Sequence, residues 1–193
     1  MRSISLIFLC ALTGLCGAAR AQSTPVRVCY DYDCAREAKV QIADATLMRI
    51  GASLKQAEDA SGERAQIARA VADIYIIAGQ QTPVWRDCGG NFDDDRDLPG
   101  GMDCIDHSTN TTAFLQLLEG AGLLRFHQVA PPLRRSRYLV VDHWTARVAE
   151  FDSGAEFAVD TWFFDPGVPA VIMPIAAWRA GGEPNRNLEA NSR

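Results

Sequence analysis

The sequence predicts an α+β fold in which N-terminal helices precede a helix carrying Cys104, and that helix packs on an antiparallel β-sheet. Three observations predict it. Residues 34–57, 63–78 and 103–119 carry apolar side chains at helical spacing. Residues 138–151, 156–164 and 170–173 are β-branched or aromatic runs, separated by Asp152-Ser153-Gly154 and Asp165-Pro166-Gly167 turns. The helical patterns come first and the strands last, which favours segregated α+β layers over alternating βα units.

The elements follow in order. Met1-Arg2, the apolar run from Leu6 to Leu15 and the small-x-small site Ala19-Arg20-Ala21 read as a secretory signal peptide over residues 1–21, cleaved before Gln22. Export places the chain in the periplasm or outside the cell. No later segment is apolar enough to span a bilayer. Residues 22–80 are expected to be a helical segment. Its first helix runs over 34–57, with Val40, Ala43, Leu47, Ile50 and Leu54 on one stripe, and ends at Ser61-Gly62. The second places Ile67, Val71, Ile74, Tyr75 and Ala78 on one face, with Gly79 as its stop. Residues 81–102 are a long polar loop, of the kind that usually carries function.

The third helix opens at Asp103, an N-cap, with Asp106 in the place where a capping box normally holds Glu or Gln. Gly120 and Gly122 stop it. Leu123 to Val129 reads as a strand, and Pro131-Pro132 with Arg134-Arg135 as a turn and exposed loop. The core is thus expected over residues 103–182, with a polar, disordered tail at 183–193.

Charge and cysteine content narrow the function classes. The chain has 19 basic and 24 acidic residues, a net charge of −5, and cleavage would remove Arg2 and Arg20. With no basic stripe interleaved with aromatics, nucleic acid is excluded as the expected partner. Beyond the leader stand Cys29, Cys34, Cys88 and Cys104. An exported chain meets an oxidising compartment, so two disulfides are one expectation; four cysteines allow three connectivities and the sequence chooses none, the scaffold reading taking Cys29 with Cys34 beside Cys88 with Cys104. The other expectation pairs Cys29 with Cys34 and leaves Cys104 reduced.

Cys104 is the residue most suggestive of chemistry. A thiol in the first turn of a helix lies beside unpaired backbone N–H groups and the positive end of the helix dipole. Both favour a thiolate, so the expected thiol pKa is depressed. His143 and Asp160 each stand in a strand-like run. In that arrangement the imidazole takes the thiol proton and the carboxylate orients the imidazole. His107, three residues after Cys104, competes as the base. Tight pairing around Ser153-Gly154 would set His143 four residues from the register that Asp160 needs, so the reading requires a bulge or a loop centred nearer Phe151-Asp152.

Other motifs weigh less. Asp93, Asp94, Asp95 and Asp97 resemble a calcium loop, but Leu98 stands where glycine is required. Asn110-Thr111-Thr112 is a glycosylation sequon in a helix start. Three histidines at 107, 127 and 143 lack close metal-ligand spacing.

Residues 101–165 resemble the transglutaminase-like cysteine-peptidase core. The resemblance rests on Cys104 opening a helix, Gly122-Leu123-Leu124-Arg125, His143-Trp144-Thr145 and Val159-Asp160. Trp144 follows His143 directly, where that core has a spacer. Asp103-Cys104-Ile105-Asp106 is similar to the bacterial periplasmic branch, which cleaves proteins and holds calcium through acids flanking the nucleophile. Here Ile105 stands at one of those acids, with Asp106 as the substitute. The resemblance implies catalytic residues Cys104, His143 and Asp160 and no cofactor other than that calcium, and it does not carry over a substrate. A protein or peptide substrate is the expectation for a hydrolase of peptide or amide bonds built on these residues. Gln81, Trp85 and Asn91 are candidates for the second oxyanion donor. The rival reading is a binding or scaffold protein on the same fold with structural disulfides.

Overall fold

The computed structural model describes residues 22–90, 96–137 and 141–184. The signal peptide, Asn91, Asp93 to Asp95 and residues 185–193 of the tail lie outside the described residues. The fold is α+β, with a two-stranded and a four-stranded antiparallel sheet.

The chain opens as a hairpin. Strand β1 (Ser23–Tyr30) pairs with β2 (Arg36–Ala43), Val26 facing Val40. The helix expected over 34–57 is therefore corrected: its first part is β2, and only Asp44–Leu54 is helix α1. Physically, Val40 and Ile42 alternate with Lys39 and Gln41 and bury one face, as do Val26 and Val28 in β1. The stripe that suggested a helix shares Val40 with this two-residue period.

Helix α2 spans Ala60–Gln81, capped by Asp59, whose carboxylate accepts the Gly62 amide. Ser61-Gly62 is thus its first turn, and Gly79 is inside it. A Cβ on Gly79 would come 3.0 Å from the Trp85 Cβ, so the glycine makes room for the 3-10 turn Pro83–Arg86. Helix α3, Cys104–Gly120, packs against β1 on one side and β4 (Val141–Glu150) on the other. The second sheet runs in the order β3-β4-β5-β6, with β3 His127–Arg137, β5 Glu156–Asp160 and β6 Val171–Pro174. Pro131 and Pro132 fall inside β3, at a register shift between Ala130 and Leu133, where missing amide donors are tolerated. The expected turn there is a bulge. Leu123 and Leu124 precede β3 rather than belong to it. A short helix α4, Ile175–Arg179, follows β6.

The core joins all layers: Ile67, Val71, Ile74 and Tyr75 from α2, Phe114, Leu115 and Leu118 from α3, and Ala146, Val148 and Val159 from the sheet. Among the described residues no helix is long and apolar enough to cross a membrane.

Candidate functional site

Asp103 caps α3 by accepting the amides of Ile105 and Asp106 at 2.9 Å each, and the Asp106 carboxylate reaches back to the Asp103 amide at 3.2 Å. Both halves of the capping box are present, with Asp in place of Glu. Cys104 is therefore the first helical residue. Its thiol donates to the Asp142 carbonyl at 3.9 Å and accepts the Trp144 amide, so the sulfur rests on the β4 backbone on both sides of His143.

His143 is buried, and its Nε2 lies 2.7 Å from Asp160 Oδ2. A carboxylate oxygen accepts, so Nε2 is the donor of this bond, and in the tautomer that keeps it Nδ1 holds the lone pair. The hairpin register explains the meeting. Ala146 opposes Val159, so the next step brings Thr145 opposite Asp160, with His143 one diagonal step away on the same face. The loop is centred on Asp152-Ser153, between the tight turn that fails and the shift the sequence required.

Asp160 is further fixed by two donors that sequence reasoning missed. Trp178 of α4 donates its indole N–H to Oδ2 at 2.9 Å, and the Trp162 amide donates to Oδ1 at 3.2 Å. Rings of Trp162, Phe163 and Trp178 surround the imidazole at 5.1, 5.8 and 5.7 Å. Arg135 covers the outer face of Trp178 at 4.6 Å and donates to its carbonyl. The aromatic run Thr161-Trp162-Phe163-Phe164 was a visible signal; an isolated Trp178 carried none. Trp178→Phe puts a smaller ring in place of a wholly buried indole, so it deletes a hydrogen bond to a carboxylate and opens a gap. It is expected to lower unfolding free energy by about 1.5–3 kcal/mol in urea titration, with Cys104 still in place.

His107 is not a competitor in this geometry. Its Nε2 bonds Asp87 Oδ2 and its Nδ1 bonds Thr161 Oγ1, each at 3.0 Å, and the residue is buried. Burial pulls its pKa down, and the adjoining Asp87 carboxylate outweighs that, so the net shift is upward. Thr161 also meets Thr111 at 2.9 Å, and Asp87 Oδ1 accepts the Met102 amide at 2.7 Å. The network ties α3 to the residue after Asp160.

The expected depression of the Cys104 thiol is corrected. Burial pushes it up to about 11, the Trp144 amide opposes this, and the Asp103 and Asp160 carboxylates add to the rise. Desolvation outweighs the helix end. At neutral pH the resting group is a thiol. Asp106, wholly buried and facing Asp103, is likewise pushed up to about 7, chiefly by burial.

The remaining expectations divide. Cys29 and Cys34 form a disulfide, and both Cys88 and Cys104 stand outside one. Gln81 is turned onto β2, accepting the Gln41 amide and donating to its carbonyl, away from Cys104. Trp85 is exposed, with Arg86 over its ring. Asn110 is buried, which closes the sequon. The loop before α3 is pinned instead through Gly89 and Gly90: Gly90 donates to the Trp162 carbonyl at 2.6 Å and Gly89 to Asp165 at 3.0 Å. A scan against family models, a search of curated proteins and a search of solved structures each found no match.

Proposed function

We propose that the chain is an exported cysteine hydrolase acting on a peptide or amide bond, with Cys104 as nucleophile, His143 as base and then acid, and Asp160 as orienter. The observation that carries this reading is the thiol at the head of α3 seated on the β4 backbone flanking His143, whose Nε2 is held by Asp160 at 2.7 Å. In the first step Cys104 Sγ attacks the substrate carbonyl carbon while its proton passes to His143 Nδ1. The Asp103 side chain takes the amides of Ile105 and Asp106 and not that of Cys104, which lies beside its own sulfur and is the amide left to receive an oxyanion formed there. The imidazolium returns its proton to the departing amine, leaving a thioester. Water, deprotonated by the same imidazole, then releases the acid and restores the thiol.

A thiol held up to about 11 needs its base at the moment of attack. Alkylation of Cys104 by iodoacetamide, followed against pH, tests this. The natural chain should label near neutral pH. His143→Ala should label only as pH climbs toward 11, the thiol's own range, and Asp160→Asn should fall between. Identical profiles for the natural chain and a folded His143→Ala variant would sink the triad and favour the rival reading, a binding protein on this fold.

A further inference from the structure

Asp31, Tyr32, Asp33 and Cys34 all have positive φ, from 53° to 66°. None is glycine, and the left-handed region costs such residues roughly 1–2 kcal/mol each. A left-handed turn of ordinary residues persists only where its surroundings hold it. The Cys29–Cys34 disulfide closes this one, with Cα atoms 4.7 Å apart. Arg36 pairs with the Asp31 carboxylate at 3.1 Å and Arg96 lies over the Tyr32 ring at 4.3 Å, and the remaining bonds run to the residues leading into α3 and to α3 itself. Asp31 donates to the Gly101 carbonyl at 2.9 Å, and its carboxylate accepts the Gly100 amide at 2.7 Å. The Asp33 amide reaches Asp103 Oδ2 at 3.1 Å, and the Cys34 amide reaches Asp106 Oδ1 at 2.8 Å. Cys29 exchanges two hydrogen bonds with Asn110, at 2.6 and 2.8 Å. Both half-cystines are thus bonded to the helix that presents Cys104, and two amides of the turn bind the two carboxylates of its capping box.

We propose that the disulfide-closed turn is a positioning element for Cys104, a lock on the first turn of α3 whose opening by a dithiol uncouples Cys104 from His143 without unfolding the chain. This rests on Cys104 and His143 acting as one unit. Opening breaks the S–S bond. The dithiol supplies two electrons and two protons, Cys29 and Cys34 become thiols, and the dithiol leaves as its own cyclic disulfide. The four residues can then return to negative φ, which withdraws the Asp33 and Cys34 amides. Asp103 and Asp106 each lose a donor while facing one another, and the helical turn holding Cys104 loosens.

A double-mutant cycle measures the coupling. Cys104 alkylation by iodoacetamide at pH 7.5 is read by peptide mass spectrometry, and folding by a cooperative thermal transition. With the disulfide intact, His143→Ala should slow labelling at least about tenfold, the loss expected for a general base. In Cys29→Ser/Cys34→Ser the same substitution should change the rate less than about twofold, since the positioning behind that base is gone. Cys29→Ser/Cys34→Gly with Asp33→Gly should restore much of the coupling, because glycine takes positive φ without steric cost. Should the serine pair not fold, the natural chain reduced with dithiothreitol is read the same way. Full coupling in a folded chain lacking the bond, with no glycine introduced, overturns the lock. No coupling in the intact chain overturns the triad instead.

Discussion

Cys104→Ala is expected to lower hydrolysis of a diverse peptide pool by roughly 10³-fold or more, read as new termini by mass spectrometry. The size follows from the chemistry. On the proposed mechanism, loss of the sulfur removes the acyl-enzyme path and leaves only substrate binding and the oxyanion site. His143→Ala should cost a similar factor, because a thiol held near 11 by burial cannot attack unaided at neutral pH. The double variant should be little worse than either single one, since the two act as a unit. Asp160→Asn should cost less. Its oxygen, placed where Oδ2 stands, can still accept from both His143 and Trp178, but its NH2 then faces the Trp162 amide, which loses its acceptor, and the charge that steadies an imidazolium is gone. Additive losses in the double variant would mean that sulfur and imidazole work independently. A natural chain that cleaves nothing in the pool, yet retains peptides, would support the binding reading.

The parts of this arrangement that sequence made legible are those governed by local rules. Asp103 three residues before Asp106 specifies a helix start wherever the surroundings permit, so the place of Cys104 could be read without tertiary knowledge. Asp160 inside an apolar strand signalled a buried partner, and the partner found is the imidazole of His143. Cys29 and Cys34 are close enough in sequence for their disulfide to be expected. What could not be read depends on distant contacts. Val40 fits a helical stripe and a strand face equally well, and β1 decides between them only once Val26 and Val28 lie opposite. Trp178 has no local signature, because its meaning lies in an indole N–H reaching a strand 18 residues back. The direction of the thiol shift was missed because the helix-end effect is local, whereas desolvation comes from β4 closing over the sulfur.

Glu63→Ala should give the largest loss of stability. Glu63 is wholly buried in α2, and its carboxylate accepts three donors from the segment entering β3: the Arg125 amide at 2.6 Å, the Phe126 amide at 2.9 Å and His127 Nδ1 at 2.8 Å. Burial would raise its pKa, but those donors together outweigh it and hold the carboxyl below its ordinary range. The charge is stabilised where it stands. His127 is itself wholly buried, with Arg64 at 3.4 Å on its other nitrogen; Arg64 in turn pairs with Glu150 and lies over the Phe157 ring at 3.9 Å. Alanine would leave two backbone amides and an imidazole facing a void, with a cation beside them. Breaking a buried pair of this kind costs about 3–5 kcal/mol, against a total of roughly 5–15 kcal/mol for a domain. Urea unfolding should show the midpoint falling steeply at an unchanged slope. Glu63→Gln keeps one acceptor oxygen and should lose less. Because the depressed pKa makes this carboxylate stabilising only when ionised, its contribution is present above the unfolded value near 4.3 and fades as pH falls through the folded one. The gap between the natural chain and Glu63→Gln should therefore narrow in acid. A gap that stays constant from neutral pH down to the acid transition would show that shape, not charge, holds the entry to β3.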